Sequence, residues 1–338
     1  DYSVSRIIVG GWQFSKGHGA HGLLGTDPVK LFSQLVGLGF TTFDCADIYQ
    51  GVEEFIGSVL RKAGSPKGDT GIQVHTKFVP DLDILPTIKK GYVEGIIDRS
   101  LTRLGVDELD LLQFHWWDFS VPRYLEVAHW LKELQDAGKI RHLGVTNFDF
   151  PHLEELVSGG IPIVSNQVQY SILDRRPSRN LAGYCQDAGI SLLCYGALAG
   201  GFLTDRFLNV HTAPAREDNR SLTKYRLIID ELGGWNVFQS VLDAVGRVAH
   251  GRRASLPSVA LRWVLDQEAV AATITGIDSV DQANDTLRVF DMKLNGADES
   301  ILESAMAQAV GPAGPVYGLE RVMDGPHGRI MRYNLNRE

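Results

Sequence analysis

"TTFDCADIYQGVEEFIG", Thr41 to Gly57, is the stretch on which the reading of this chain turns. It opens as a short apolar and β-branched run, the kind buried on both faces of a parallel sheet, and closes as a helix. Between the two stand the carboxylates Asp44 and Asp47 and the phenol Tyr49. Turn chemistry is one account of them, because Asp caps helices and favours turns. The other is an active site at the C-terminal mouth of a β/α barrel, where functional side chains come from strand ends. The stretch alone does not separate the two.

Working outward, the same alternation recurs along the chain. Strand-like runs at 6–10, 72–78, 109–116, 140–147, 163–170, 191–196 and 271–276 join the one at 41–46, making eight. Helical patterns fill most gaps. The first is expected to start with Asp27 as N-cap and Pro28 at the first helical position. Val29, Leu31, Phe32, Leu35, Val36 and Leu38 then form its apolar stripe. Gly105, Gly138, Gly159 and Gly189 sit where helices should stop. The pattern predicts an α/β fold, a parallel (β/α)8 TIM barrel over residues 1–338 as one domain. A polar, irregular loop is expected at about 205–236 after the seventh strand, and a helix near 297–309. A Gly- and Pro-rich tail follows from about 311. The 338 residues leave room for a barrel of roughly 250 residues with additions.

Composition narrows the function. The net charge is −8, the pI about 5.7, and no dense basic run is present, which speaks against a nucleic-acid or anionic-membrane partner. No apolar stretch approaches the roughly 18 residues of a membrane span, and no signal peptide is visible. Cys45, Cys185 and Cys194 form no CxxC pair, which points to a reducing, cytoplasmic setting. Oligomeric state has no signal here.

If the barrel holds, the strand ends converge on one mouth. The second strand ends with Asp44, with Tyr49 on the turn beyond; the third ends with Lys77 and the fourth with His115. A lysine in a buried strand needs a partner. A metal site fits poorly: a lysine beside the ligands would repel the cation, and no further His or Glu stands at ligand spacing. A P-loop and a strand-borne GxGxxG are both missing.

Several segments, in order, resemble the aldo-keto reductase superfamily. "FDCADIY" is similar to its Asp and Tyr motif, "HTKF" to its lysine motif and "LLQFHWW" to its histidine motif. "GVTNF", "SNQVQY", "CYGALAGGFLT" and "ITGIDSVDQANDTL" resemble its cofactor segments. The resemblance implies a barrel that binds NADP(H), or in some relatives NAD(H), and moves a hydride between nicotinamide and a carbonyl or alcohol carbon. It makes Tyr49 the general acid, Lys77 and Asp44 its tuners, and His115 the group that orients substrate. Lys77 would lower the phenol's pKa, and His115 would hydrogen-bond the carbonyl oxygen.

On the same footing, Trp12, Asp44, Thr146, Asn147, Gln167, Tyr195, Gly196, Ala197, Leu198, Gly200 and Gly201 would hold the nicotinamide and pyrophosphate. Gly276, Asp278, Ser279 and Gln282 would meet the adenosine end. Trp12, Phe14, Tyr49, His115, Trp116 and Trp117 would line the pocket for a small carbonyl or alcohol substrate. Two rival functions share this barrel: an NAD-dependent sugar (aldose or lactol) dehydrogenase, and a redox-sensing binding subunit similar to potassium-channel β subunits. Cofactor choice is contested within the chain. A 2′-phosphate wants Arg or Lys, yet 274–287 offers Asp278 and no cation, and Arg288 comes late. Arg206, Arg216, Arg220 or Lys224 of the long loop are the candidates to supply one.

Overall fold

The computed structural model describes residues 2–15, 28–62, 71–214 and 220–336. The eight expected strands are β1 Ile7–Gly10, β2 Thr42–Asp44, β3 Gln73–Phe78, β4 Leu109–His115, β5 Ile140–Thr146, β6 Ile163–Gln169, β7 Ser191–Tyr195 and β8 Val270–Thr275. Each pairs in parallel with its neighbours in chain order, and β8 returns to β1, so the barrel closes. The helices α1 Pro28–Gly37, α2 Val52–Lys62, α3 Lys90–Leu104, α4 Tyr124–Asp136, α5 Phe150–Ser158 and α6 Leu181–Ala188 return the chain after the first six strands. The position expected to cap α1, Asp27, lies outside the described residues.

Local chemistry sets the ends. Asp149 caps α5 by accepting from His152 N, and Gly105 and Gly189 leave α3 and α6 in the left-handed conformation. Gly11 is required for another reason. A Cβ there would stand 2.8 Å from the Asp44 carbonyl oxygen, to which the Gly11 N–H donates at 2.7 Å. A larger residue would push β1 away from the strand end that carries Asp44.

Inside the barrel the filling changes with depth. Ile8, Leu111, Leu193, Ala272 and Ile274 form a small apolar cluster of their own. Tyr2 packs on that cluster and bonds His75 Nε2 at 2.9 Å. Nearer the mouth the inward positions are polar: Asp44, Lys77, Gln113 and Gln167. The main apolar core lies between barrel and helices and includes Phe78, Phe114 and Trp116. Strand alternation explains the split, since Gln113 and His115 share one face of β4 and Phe114 and Trp116 the other.

Two sequence expectations change. The stretch read as an irregular loop contains α7, Arg220–Leu232, and α8, Trp235–Arg252, begins within it. Tyr225, Ile228, Ile229 and Leu232 of α7 are buried. Next come α9 Leu256–Leu265, β8, α10 Val280–Leu287 and α11 Gly296–Met306, the last with an Asn295–Asp298 capping box. The tail is no appendage either. It forms the short α12, Gly318–Arg321, and folds back over the mouth as far as Asn336, whose Nδ2 donates to Val79 O at 2.6 Å.

Candidate active site

Asp44 and Lys77 meet at the barrel mouth as a buried ion pair, Nζ to Oδ2 2.5 Å, with side chains about 5% exposed. Lys77 also donates to Cys45 O at 2.8 Å. The other Asp44 oxygen accepts from Gln113 Nε2 at 2.9 Å and Gln167 Nε2 at 2.7 Å. Three donors therefore converge on one carboxylate, which is what keeps two charges tolerable in a place shielded from water. Gln167, expected among the nicotinamide contacts, spends its amide nitrogen on this network and on Gln113 Oε1 at 2.7 Å.

Tyr49 lies beside the pair. Lys77 Nζ stands 5.2 Å from its ring centroid, and Trp12 meets the ring edge-on at 5.4 Å. The expected lowering of its pKa does not hold in this arrangement. Burial pushes the phenol up, and the Asp44 charge adds to the push. Tyr49 is thus a protonated phenol and, by burial alone, a weaker acid than the free side chain.

His115 follows on β4 with a defined tautomer. Its Nδ1 lies 3.2 Å from Thr146 O, a carbonyl that can only accept, so Nδ1 carries the hydrogen. Burial, with Arg321 nearby, drives the imidazole down to about 3, so it is neutral at physiological pH. The buried Nε2 has no protein partner and presents a lone pair. With Nδ1 as the donor to Thr146 O, Nε2 in this tautomer offers a lone pair where donation to a carbonyl oxygen was expected.

The pocket aromatics divide. Trp117 packs edge-on against His115 at 4.3 Å and donates to Pro80 O at 2.8 Å. Phe14 packs on Phe55 at 5.6 Å. Trp116, expected to line the pocket, is fully buried behind the strand, its Nε1 bonded to Asp118 O and Val121 O.

The cofactor-side residues gather along the β5–β8 rim. Tyr195 donates to Asn147 Oδ1 at 2.8 Å, and Asn147 holds a left-handed φ of 63°. Thr146 turns its hydroxyl to Gln167 O at 3.1 Å. The Lys224 ammonium already covers the Tyr195 ring at 4.8 Å, so a nicotinamide must take the other face or displace it. A Cβ on Gly196 or Gly200 would strike the Tyr225 ring, whereas Gly201 faces open space. Of the two glycines expected to let a pyrophosphate approach, Gly200 is packed against Tyr225 and Gly201 is open. Ala197 is buried in the core and Leu198 packs against it. At the β8 end Ser279 caps α10 by accepting from Gln282 N, and Gln282 closes the loop onto Asp278 N at 2.9 Å and Gly276 O at 3.3 Å.

The set suits a nicotinamide nucleotide: side-chain amides, a ring face, open glycine backbone and a helix N-terminus follow one another around the rim. Among the described residues no group of three or more His, Cys, Asp or Glu could hold a metal, and no helix is long and apolar enough to cross a membrane.

Sequence reasoning missed the roof. Tyr317 meets His115 edge-on at 5.5 Å, and Tyr333 packs on Trp117 at 5.0 Å. Glu320 is wholly buried against Arg176, at 3.2 Å, and lies 3.9 Å from Lys224. Asn336 Nδ2 donates to Asp47 Oδ2 at 3.1 Å. Burial raises the Asp47 carboxyl to about 7, and the neighbouring Glu53 adds to it. The folded chain therefore keeps a proton there that the unfolded chain releases near pH 4, so this group's stabilising contribution is lost as pH rises from about 4 through 7. In melting experiments the difference between wild type and Asp47→Asn should move against wild type by about 2–3 kcal/mol between about pH 5 and 8. A difference independent of pH would contradict the shift.

Residues 6–307 match the family model described as Aldo/keto reductase family. The chain is 28% identical over 323 residues to the aldo-keto reductase YhdN of Bacillus subtilis, covering 91% of this chain and 93% of that protein. It is 25% identical over 334 residues to the NADH-specific methylglyoxal reductase of Escherichia coli, covering 92% and 97%. Among solved structures it superposes on the glycerol dehydrogenase AKR11B4 of Gluconobacter oxydans with a TM-score of 0.74 and 26% identity, covering 93% and 95%.

Proposed function

The chain belongs to the aldo/keto reductase family, and from that premise we propose how its barrel mouth carries out nicotinamide-dependent carbonyl reduction. It is an NAD(P)-dependent oxidoreductase acting on small carbonyl compounds. Bound nicotinamide would supply the hydride. Tyr49 is the proton donor to the carbonyl oxygen as negative charge gathers there. The observation that carries this role is the protonated phenol set beside the buried Lys77–Asp44 pair. Lys77 steadies the phenolate that forms, and Asp44 fixes Lys77. His115 accepts from a substrate hydroxyl and thereby orients it, which favours hydroxylated carbonyl compounds. Asn147, Gln167 and Tyr195 hold the nicotinamide, Gly201 the pyrophosphate, and Ser279 with α10 the adenosine end. Three free, buried cysteines suit the cytoplasm. The test is a screen of aldehydes, ketones, sugars and alcohols with both reduced and oxidised cofactors, read by nicotinamide absorbance; turnover confined to alcohol oxidation would overturn the assigned direction.

The same reading leans towards NAD(H). Asp278 is exposed at the start of the α10 loop, and no Arg or Lys stands from 274 to 287. Of the loop cations, Arg220 is tied to Ile330 O at 3.1 Å through Nε, and Lys224 is turned to Tyr195. Arg206 lies against the Phe207 ring, and Arg216 falls outside the described residues. The NADH-specific reductase among the relatives points the same way. Asp278→Arg is expected to tighten NADP(H) about five-fold and leave NAD(H) nearly unchanged, since an unbalanced carboxylate near the 2′-phosphate costs on the order of 1 kcal/mol. Titration of both cofactors checks it, and equal dissociation constants in both proteins would remove Asp278 from the argument.

A further inference from the structure

The tail is fastened to the mouth at both of its ends. At the near end Arg321 donates from Nη2 to Trp116 O at 3.1 Å and Asn147 O at 2.9 Å, one residue beyond β4 and β5. At the far end it runs along the loop that follows β3. Leu82 N donates to Tyr333 O at 3.0 Å, and Asp83 N to Asn334 Oδ1 at 3.3 Å. Asn336 then engages every polar group it has. Its N–H donates to Asp81 Oδ1 at 2.9 Å, and its Nδ2 to Val79 O at 2.6 Å and Asp47 Oδ2 at 3.1 Å. Its Oδ1 accepts from Arg99 Nη2, and its backbone O from Arg99 Nη1 at 3.3 Å.

Two of those partners adjoin Tyr49 and Lys77. Asp47 lies inside the turn closed by the Tyr49 N–H on Ala46 O at 3.0 Å, so the carboxylate and the phenol are carried by one tight bend. Asp47 Oδ2 also accepts from Val79 N at 3.1 Å, and Val79 comes two residues after Lys77. One oxygen therefore joins three segments: the turn of Tyr49, the end of the Lys77 strand, and the tail. Asn336 closes the triangle, since its Nδ2 reaches both of the others. Strand pairing alone does not fix this turn. The ladder between β2 and β3 stops at Asp44 and His75, and Tyr49 and Lys77 both lie beyond it. Among the described residues the other donors to the Asp47 carboxylate are Ile48 N, at 3.0 Å, and Val79 N, both from the two loops being joined.

We infer that Asn336 is a positioning residue, which sets where Tyr49 stands relative to Lys77 and thereby the rate at which the phenol gives its proton to a carbonyl oxygen. The inference rests on reading Tyr49 as the proton donor. Burial weakens Tyr49 as an acid, so donation leans on the nearby ammonium that steadies the phenolate. Both the attraction and the reach to a reacting oxygen fall off with displacement, and a drift of about 1 Å in a reacting group costs up to about 10²-fold. A site carried on a loop needs such outside support more than one carried on a strand.

Four variants of the full chain test it. Asn336→Ala removes the junction, whereas Asn334→Ala loosens the same tail away from it. Asn336→Asp sets a second carboxylate against Asp47, and the double variant Asp47→Asn with Asn336→Asp exchanges donor and acceptor. Single turnovers are followed with glyceraldehyde, or with whichever carbonyl compound the screen above finds faster. Asn336→Ala should slow hydride transfer about ten-fold and raise its solvent deuterium isotope effect, because proton donation then limits the step. Cofactor dissociation constant and substrate KM should stay within about two-fold of wild type, and Asn334→Ala should match wild type throughout. Asn336→Asp should be at least as slow as Asn336→Ala, and the double variant should recover part of the rate. A rate for Asn336→Ala within about two-fold of wild type overturns the inference. So does a loss with an unchanged isotope effect, or an equal loss in Asn334→Ala, either of which marks a brace of the tail alone. If Asn336→Ala does not fold, Asn336→Asp with and without Asp47→Asn decides: recovery in the double variant supports the inference, and no recovery overturns it. Tyr49→Phe keeps the two readings apart. If that variant turns over within a few-fold of wild type, the role of Tyr49 falls and this inference with it; if it is slow while Asn336→Ala is not, this inference falls alone.

Discussion

Tyr49→Phe should lower turnover by about 10² or more, the scale of a lost general acid, while leaving the fold and nicotinamide affinity close to wild type. The substitution removes one oxygen. The edge-on contact with Trp12 at 5.4 Å and the Lys77 ammonium 5.2 Å from the ring both survive it. What disappears is the donor for an oxygen that gains charge as hydride reaches its carbon. His115 cannot replace it, because its hydrogen sits on Nδ1 against Thr146 O and its Nε2 offers a lone pair. Lys77 is committed to Asp44 and Cys45 O. Single-turnover rates together with cofactor titration separate chemistry from binding. Turnover in Tyr49→Phe within a few-fold of wild type would remove Tyr49 from the role of acid.

Asp44→Ala is expected to damage stability as well as rate. One carboxylate accepts from Lys77, Gln113 and Gln167, at 2.5, 2.9 and 2.7 Å. Its removal strands a buried ammonium with the Cys45 carbonyl for company and leaves two amides short of a partner. Breaking a buried pair in this way costs about 3–5 kcal/mol, which lowers the melting midpoint by on the order of 10 °C in a chain of this size. Adding Lys77→Met should restore part of that loss, because the stranded charge then goes too. The double variant should still be unable to turn over at a useful rate. A midpoint for Asp44→Ala within about 2 °C of wild type would show that the pair is more solvated than its geometry indicates. The contrast with Tyr49→Phe is informative, since that variant should lose rate without losing stability.

The barrel was legible because its strands are buried on both faces and read as short apolar runs, each found within a residue or two of its place. Asp44, Lys77 and His115 were legible for a related reason: a polar residue at the end of such a run has few places to point except the mouth. The same alternation carried a warning about Trp116, which follows His115 and so belongs on the opposite face of β4, among Phe114 and Tyr124. Helix α7 also left a trace, with Leu222, Tyr225, Ile229 and Leu232 at helical spacing amid polar text. The roof left none. Tyr317, Glu320 and Arg321 matter through partners more than a hundred residues away, such as Arg176 and Asn147. No local period encodes such a contact. The His115 tautomer is equally hidden, because a backbone carbonyl sets it.

The family model matches residues 6–307, and the roof lies beyond that match. The residues that would move hydride and proton are bound to one another by barrel closure, where any change is felt around the whole ring. The residues that roof the mouth hang on a separate ribbon, fastened at Arg176, at two strand-end carbonyls and at Val79. The roof can therefore change without disturbing the ring of strands beneath it. A copy rewritten only in that ribbon, outside Asn336, would keep the Asp44–Lys77 network intact under a different cover, which makes the ribbon the part of this enzyme easiest to exchange by design.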